Sequence, residues 1–244
     1  MLNTDRGTVG AIILAVGVML AGVFVGAGFA RGRATERYVT VKGVTEREVR
    51  ADLAIWPLQV TSADNNLAAA SATLARNIAG VRQFMARQGL DTTQVELTGF
   101  SVSDASSNQY SSNVPANRFV IRQTMLIRSS RPEQVLAASQ RIGELAAIGV
   151  AVSSGGEGGG GGPTFIFSGL NALKPPMIGD ATARAREAAE QFAKDSRTEL
   201  AGIRRANQGV FEILPRDQAP GISQESQIAK IVRVVSTVEY SLDD

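Results

Sequence analysis

The 244-residue chain carries 25 Lys or Arg against 23 Asp or Glu, and 44% hydrophobic with 20% charged residues is a globular rather than a disordered composition. It contains neither cysteine nor histidine, which excludes disulfides, thiolate nucleophiles, cysteine metal sites and the usual general base near neutral pH. Basic residues mix with acidic ones, as in Arg184, Arg186, Glu187, Glu190, Lys194 and Asp195, the pattern of a solvated helix face and not of a nucleic-acid-binding surface.

No residue from Gly7 through Ala30 is charged, and most are Val, Ile, Leu, Ala, Phe or Gly. As a helix the stretch reaches roughly 36 Å, enough to cross a hydrocarbon core of about 30 Å with some tilt. Residues 1–7 then form a short tail, 8–30 a transmembrane anchor and 31–37 a linker. A cleavable signal peptide is the rival reading, and Gly28-Phe29-Ala30 fits a small-x-small cleavage site. Such peptides carry a shorter apolar core, about 7–15 residues, behind a basic start; here Arg6 is offset by Asp5. Gly22, Gly26 and Ala30 recur every fourth residue, which permits close approach of a second helix. Arg31, Arg33 and Arg37 follow the segment whereas only Arg6 precedes it, so charge bias alone would place the large domain in the cytoplasm.

Tyr38 to Val44 alternates and is rich in β-branched residues, predicting a strand. A polar turn through Glu46, Arg47 and Glu48 leads to a second strand, Leu53 to Thr61. Pro57 within it cannot donate a ladder hydrogen bond, which predicts an edge strand or a bulge. Asp64, Asn65 and Asn66 offer caps for a helix from about Leu67, with Leu67, Ala70, Leu74, Ile78, Val81 and Met85 as its apolar stripe and Gly89 as its stop. Strands follow at Gln94 to Asp104 and at Asn117 to Ser129. The second places Phe119, Ile121, Met125 and Ile127 on one face, opposite Arg122, Thr124 and Arg128.

Pro132 opens a second helix running to Gly149. A glycine-rich loop, 153–163, precedes a short strand from Thr164 to Phe167. Lys174-Pro175-Pro176 leads into the longest helix of the soluble part. Its predicted buried face holds Ile178, Ala181, Ala185, Ala188, Phe192, Ser196, Leu200 and Ile203. Gly209 to Leu214 and Ala229 to Leu242 read as closing strands, the last with Val232, Val234, Val238, Tyr240 and Leu242 in phase. The order ββαββαβαββ, rich in hairpins, predicts an α+β domain over 38–244 with antiparallel sheets and packed helices. The pattern helix–Gly–strand–loop–strand occurs twice, from Leu67 and from Ile178, which hints at an internal duplication.

No site emerges from these residues. Gly156 to Gly161 spells a formal Gly-x-Gly-x-x-Gly, but it runs into Pro163 and a strand instead of a helix, so a linker or surface loop is the reading. Trp56, the single tryptophan, reads as core or interface filler. Asp52, Asp64 and Asp104 have no neighbours at metal-ligand spacing, and Glu187 with Glu190 lacks the histidine of a di-metal helix. No catalytic, cofactor-binding or metal-binding residue is assigned, no cofactor is expected, and an enzyme is not the expectation.

Taken in order, the elements resemble the SIMPL-domain family of bacterial envelope proteins. Val41-Lys42-Gly43-Val44-Thr45-Glu46, then Ala51-Asp52-Leu53-Ala54, is similar to the family's opening strand and the Asp that leads into its second strand. The opening's second glycine is replaced here by Thr45 or Glu46, and Trp56-Pro57 is unusual for the family. Gly89-Leu90-Asp91 with Val95, Phe165-Ile166-Phe167, the alanine-rich helix from Ala181 to Ala193 and the alternating strand Ile231 to Leu242 complete the likeness, which covers about residues 38–243. It implies export to the periplasm or retention at the envelope, links with stress tolerance, homo-oligomers (a large ring in at least one member) and no established catalytic residues. It also implies the opposite orientation to the arginine bias: a single-pass protein of the inner membrane with its soluble domain in the periplasm. The expected partners are the membrane and further copies of the chain, with no nucleic acid. The alternative expectation is a periplasmic module binding a small molecule or lipid.

Overall fold

The computed structural model describes residues 4–32, 37–107, 116–154 and 161–243. The glycine-rich stretch 155–160, and with it most of the Gly-x-Gly-x-x-Gly run, lies outside the described residues, as do 33–36 of the expected linker. The chain divides into two compact units. One holds 43–184 and 208–236; the other holds 1–42, 185–207 and 237–244.

The first sheet lies in the larger unit. Strands β2 (Leu53–Asp64), β3 (Val95–Asp104), β4 (Phe119–Ser129), β5 (Val152–Ser154) and β6 (Thr164–Ile166) form it in the order β3-β4-β2-β5, with β6 also on β2. β2 and β4 are antiparallel from Ala54 opposite Ser129 to Asp64 opposite Phe119. Their alternation puts Ala54, Trp56, Leu58 and Val60 of β2, and Ile121, Met125 and Ile127 of β4, on one buried face. Helix α2 (Leu67–Arg87) lays Ala70, Leu74, Val81, Phe84 and Met85 into the same core. It begins where predicted: the Asn66 side chain accepts from the amides of Ala68 and Ala69 at 2.8 and 3.2 Å. It stops at Gly89, whose φ is +75°. Two polar side chains in the buried rows escaped prediction. Ser62 donates to Ala70 O at 2.9 Å, and the Gln123 amide donates to Thr98 O at 2.6 Å.

The second sheet has the order β1-β9-β7, from β1 (Tyr38–Arg50), β7 (Glu199–Gln208) and β9 (Ala229–Asp243), with β8 (Glu212–Pro215) paired to β9. Within the larger unit Val232 and Val234 pack with Met177 and Ala181 of helix α5 (Leu170–Ser196), flanked by Phe167, Leu170, Leu173 and Ile213. Within the smaller unit Val41, Val238 and Tyr240 pack with Ala185 and Ala189. Alanine every fourth residue on α5 gives its buried face a smooth surface that lies close to the strands. The two sheets repeat one connectivity: β2-α2-β3-β4 in the order β3-β4-β2, and β1 then α5-β7-β9 in the order β7-β9-β1. In each, the last strand sits in the middle; the second copy runs through β7 and not through the strand expected from Gly209.

Several expectations are corrected. The observed order, ββαββ-αα-ββ-α-βββ after helix α1 (Thr4–Gly32), keeps the α+β class but adds elements. Glu46 to Glu48 is strand, not turn, and its charges meet partners on other elements: Arg47 reaches Asp180 at 3.4 Å and Glu46 reaches Arg233 at 3.5 Å. Pro57 lies in a central strand rather than an edge one. The Thr61 amide bonds Ala151 O toward β5, so by alternation the missing Pro57 donor faces that same side. There the register has run past Ser154 and the β6 pairing starts only at Ile55. Among the described residues none pairs with Pro57 on that side.

The helix expected from Pro132 to Gly149 is two, α3 (Pro132–Gln140) and α4 (Gly143–Ala147). Helix α5 starts at Leu170, ahead of Pro175 and Pro176, because Leu170 and Leu173 are held by the core and packing overrides the prolines' cost. It ends at Ser196 on Arg197, a non-glycine residue at φ 57°. Leu200 and Ile203 therefore belong to β7, a strand not predicted, and not to the helix. The strand expected from Gly209 is the shorter β8.

Helix α1 covers the whole expected anchor, Thr8 to Ala30. Its side chains are described over 10–12 and 14–26. Among the described residues no helix is long and apolar enough to cross a membrane. Gly22 and Gly26 have no atom within 4 Å of a Cβ position, and Ala30 lies outside the described side chains.

Candidate functional site

The carboxylates singled out in the sequence are placed apart, each on a structural task. Asp52 accepts from the Ser168 amide and hydroxyl at 2.9 and 2.7 Å, pinning the chain after β6 to the β1–β2 turn. Asp64 accepts from the Asn66 amide at 2.8 Å and so prepares the cap of α2. Asp104 takes the Arg118 guanidinium through both oxygens at 3.1 Å and the Ser106 hydroxyl at 2.7 Å. These bonds hold its carboxyl well below the usual carboxylate range. Glu190 accepts from Arg186 at 2.9 Å along α5. No group of three Asp or Glu at metal-binding distance occurs among the described residues. Trp56 is fully buried, and its indole N–H donates to Ser154 Oγ at 2.8 Å.

One buried cation was missed. Lys230, fully buried on β9, donates to the carbonyl and the side-chain oxygen of Gln224 and anchors the 3-10 turn Gln224–Ser226. Burial pushes its pKa down, and nearby Glu225 partly offsets that. The signal was its parity: Lys230 is in phase with Val232 and Val234.

Two surfaces are available for recognition. β3 closes one end of its sheet, and most of its side chains are exposed, including Leu97, Phe100 and Val102. A register shift between Thr98 and Ser101 bends it, and Gly99 sits there at φ +59°. β7 closes one end of the other sheet, with Ile203 exposed. A strand at a sheet end presents unpaired amides and carbonyls, a template for another strand.

A cleft of about 420 Å³ opens where the C-terminal turn of α2, the following 3-10 turn Thr92–Gln94, the end of β4 and the start of α3 converge. Its polar lining includes Asp91, Gln94, Arg128, Ser130, Arg131 and Gln134. A second, shallower depression is formed by Leu214, Pro215, Gln218, Ala219, Pro220 and Ile222.

No curated protein matches the chain. The family profile described as SIMPL, a protein of unknown function (DUF541), matches residues 39–239, from the first strand to near the end of β9. With a match over most of its length, collinear with both sheets, the chain belongs to the SIMPL family.

Proposed function

We propose that the chain is a non-catalytic, membrane-anchored envelope protein whose SIMPL domain associates with further copies of itself. The observation that carries this reading is the surface of α1. Leu14, Met19, Val23 and Phe24 fall on different sides of the helix, and each is more than half exposed. Apolar side chains exposed on several sides of one helix support an apolar surrounding such as a lipid bilayer. The exposed ends β3 and β7 support association, since pairing with another copy would cover them. Anchoring copies in one plane raises their effective concentration. The inner membrane, with the domain in the periplasm, and a role in stress tolerance are the proposed setting.

Fractionation tests the anchor: the full chain should stay in the membrane pellet after alkaline carbonate washing and move to the supernatant once residues 1–37 are deleted. A topology reporter fused after Asp244 should be active only outside the cytoplasm. Extraction in mild detergent followed by light scattering should give a multiple of the 25.7 kDa chain mass. A full chain found in the wash, or a monomer throughout, would sink the corresponding half of the proposal.

A further inference from the structure

We infer that β1 pairs antiparallel with β1 of a second copy, about a two-fold axis at Val44. The inference rests on the self-association proposed above and names its contact. β1 is the end of its sheet opposite β7, and it runs for 13 residues against 10 for each of β3 and β7. Its backbone phase is fixed at both ends. Arg37 O accepts from Leu242 N at 2.9 Å, and Ala51 N donates to Ile228 O at 2.8 Å. Odd-numbered residues therefore turn their amides and carbonyls toward β9. By alternation the even-numbered ones, from Tyr38 to Arg50, turn theirs away from it. Among the described residues no other strand or loop backbone bonds these groups. The even-numbered side chains are exposed, save Val44, which is half-buried.

Such an edge is a template for another strand, and charge decides which strand it accepts. Charges of one sign along an edge oppose pairing, but β1 carries Lys42 and Glu46 at equal distances on either side of Val44. In an antiparallel ladder centred on Val44, Lys42 of each copy lies opposite Glu46 of the other. The attraction is thus made twice. Thr40 then lies opposite Glu48. A ladder centred on Lys42 or on Glu46 would instead set a charge against its own copy. Lys42 has no hydrogen-bond or ion-pair partner among the described residues. Glu46 meets Arg233 at 3.5 Å, and its side chain stays 52% exposed.

The chain has no cysteine, so single introduced cysteines report the contact without background. Residues opposite each other in a hydrogen-bonded antiparallel pair have Cα atoms about 5.5 Å apart, within disulfide reach. Full-length Val44→Cys in mild detergent, oxidised with copper phenanthroline, should give a covalent dimer of twice the 25.7 kDa chain. Thr40→Cys alone should not, because its two copies would lie about 27 Å apart along the ladder. Thr40→Cys mixed with Glu48→Cys should. Lys42→Glu should weaken the Val44→Cys dimer about tenfold, since each attraction becomes a repulsion. Adding Glu46→Lys should restore it, and unchanged circular dichroism should show that each variant folds. Three results would overturn the inference: no linking of Val44→Cys, linking that Lys42→Glu leaves unchanged, or Thr40→Cys alone linking as readily. If light scattering shows a multimer in those cases, self-association stands and only this contact falls. A wild-type chain that is monomeric throughout overturns both.

Discussion

At the scale of single residues, the polar groups of this protein act mainly as pins. Asp104 is the clearest. Its folded-state pKa is depressed by Arg118 first and by Ser106 next. A depressed carboxylate stabilises the fold above its unfolded pKa of about 3.9, and that contribution is lost as pH falls through the folded value. Asp104→Asn should therefore lower the urea midpoint at neutral pH, and the gap to wild type should narrow below about pH 4. A gap that stays constant down to about pH 2 would remove the carboxylate charge as its cause. Ser154 is the second case. Ser154→Ala leaves the buried Trp56 N–H without its acceptor, which should cost about 1–2 kcal/mol. Equilibrium unfolding followed by the fluorescence of Trp56, the single tryptophan, measures it directly.

At the scale of elements, the junctions between strands carry the constraint. Gly209 follows β7, and its amide donates to Val235 O at 2.8 Å. A Cβ on this glycine would lie 2.6 Å from that same carbonyl oxygen, a backbone atom that cannot rotate away. Gly209→Ala should thus push the segment off β9 and cost about 2 kcal/mol or more in chemical denaturation. A variant of wild-type stability would mean the strand yields more easily than its hydrogen bond implies. Element boundaries were legible where chemistry is local. Asn66 and Gly89 bracket α2 because a cap needs only its own amides and a left-handed stop needs only a glycine. The end of α5 was not legible, since Arg197 takes the left-handed conformation without a glycine to announce it.

At the scale of the whole molecule, the open question is what covers the exposed ends of the sheets. Phe100 is 61% exposed on β3. Phe100→Lys places a charge on that strand, a device by which sheet ends resist pairing. As a surface change it should alter monomer stability by no more than about 0.5 kcal/mol. Sedimentation of the detergent-extracted variant should show smaller species than wild type if β3 is a contact; an unchanged distribution would exclude this strand. The cleft was invisible in the sequence for a related reason. Asp91, Arg128 and Gln134 come from a turn, a strand end and a helix start, and no period or spacing links them.

The sequence by itself determined the apolar N-terminal segment, the start and stop of α2, and the buried rows of β4 and β9. Each rests on a local period of two or 3.6 residues, or on a cap that bonds within its own turn. Tertiary structure decided the rest. It carried β1 through Glu46 to Glu48 and placed Pro57 within a strand paired on both sides, with β4 on one and β5 and β6 on the other. It started α5 ahead of its two prolines by burying Leu170 and Leu173, and drew Lys230 inside to hold a turn. For α5 and Lys230 the deciding partner lies on another element, and a buried contact outweighs the local preference of the residue itself.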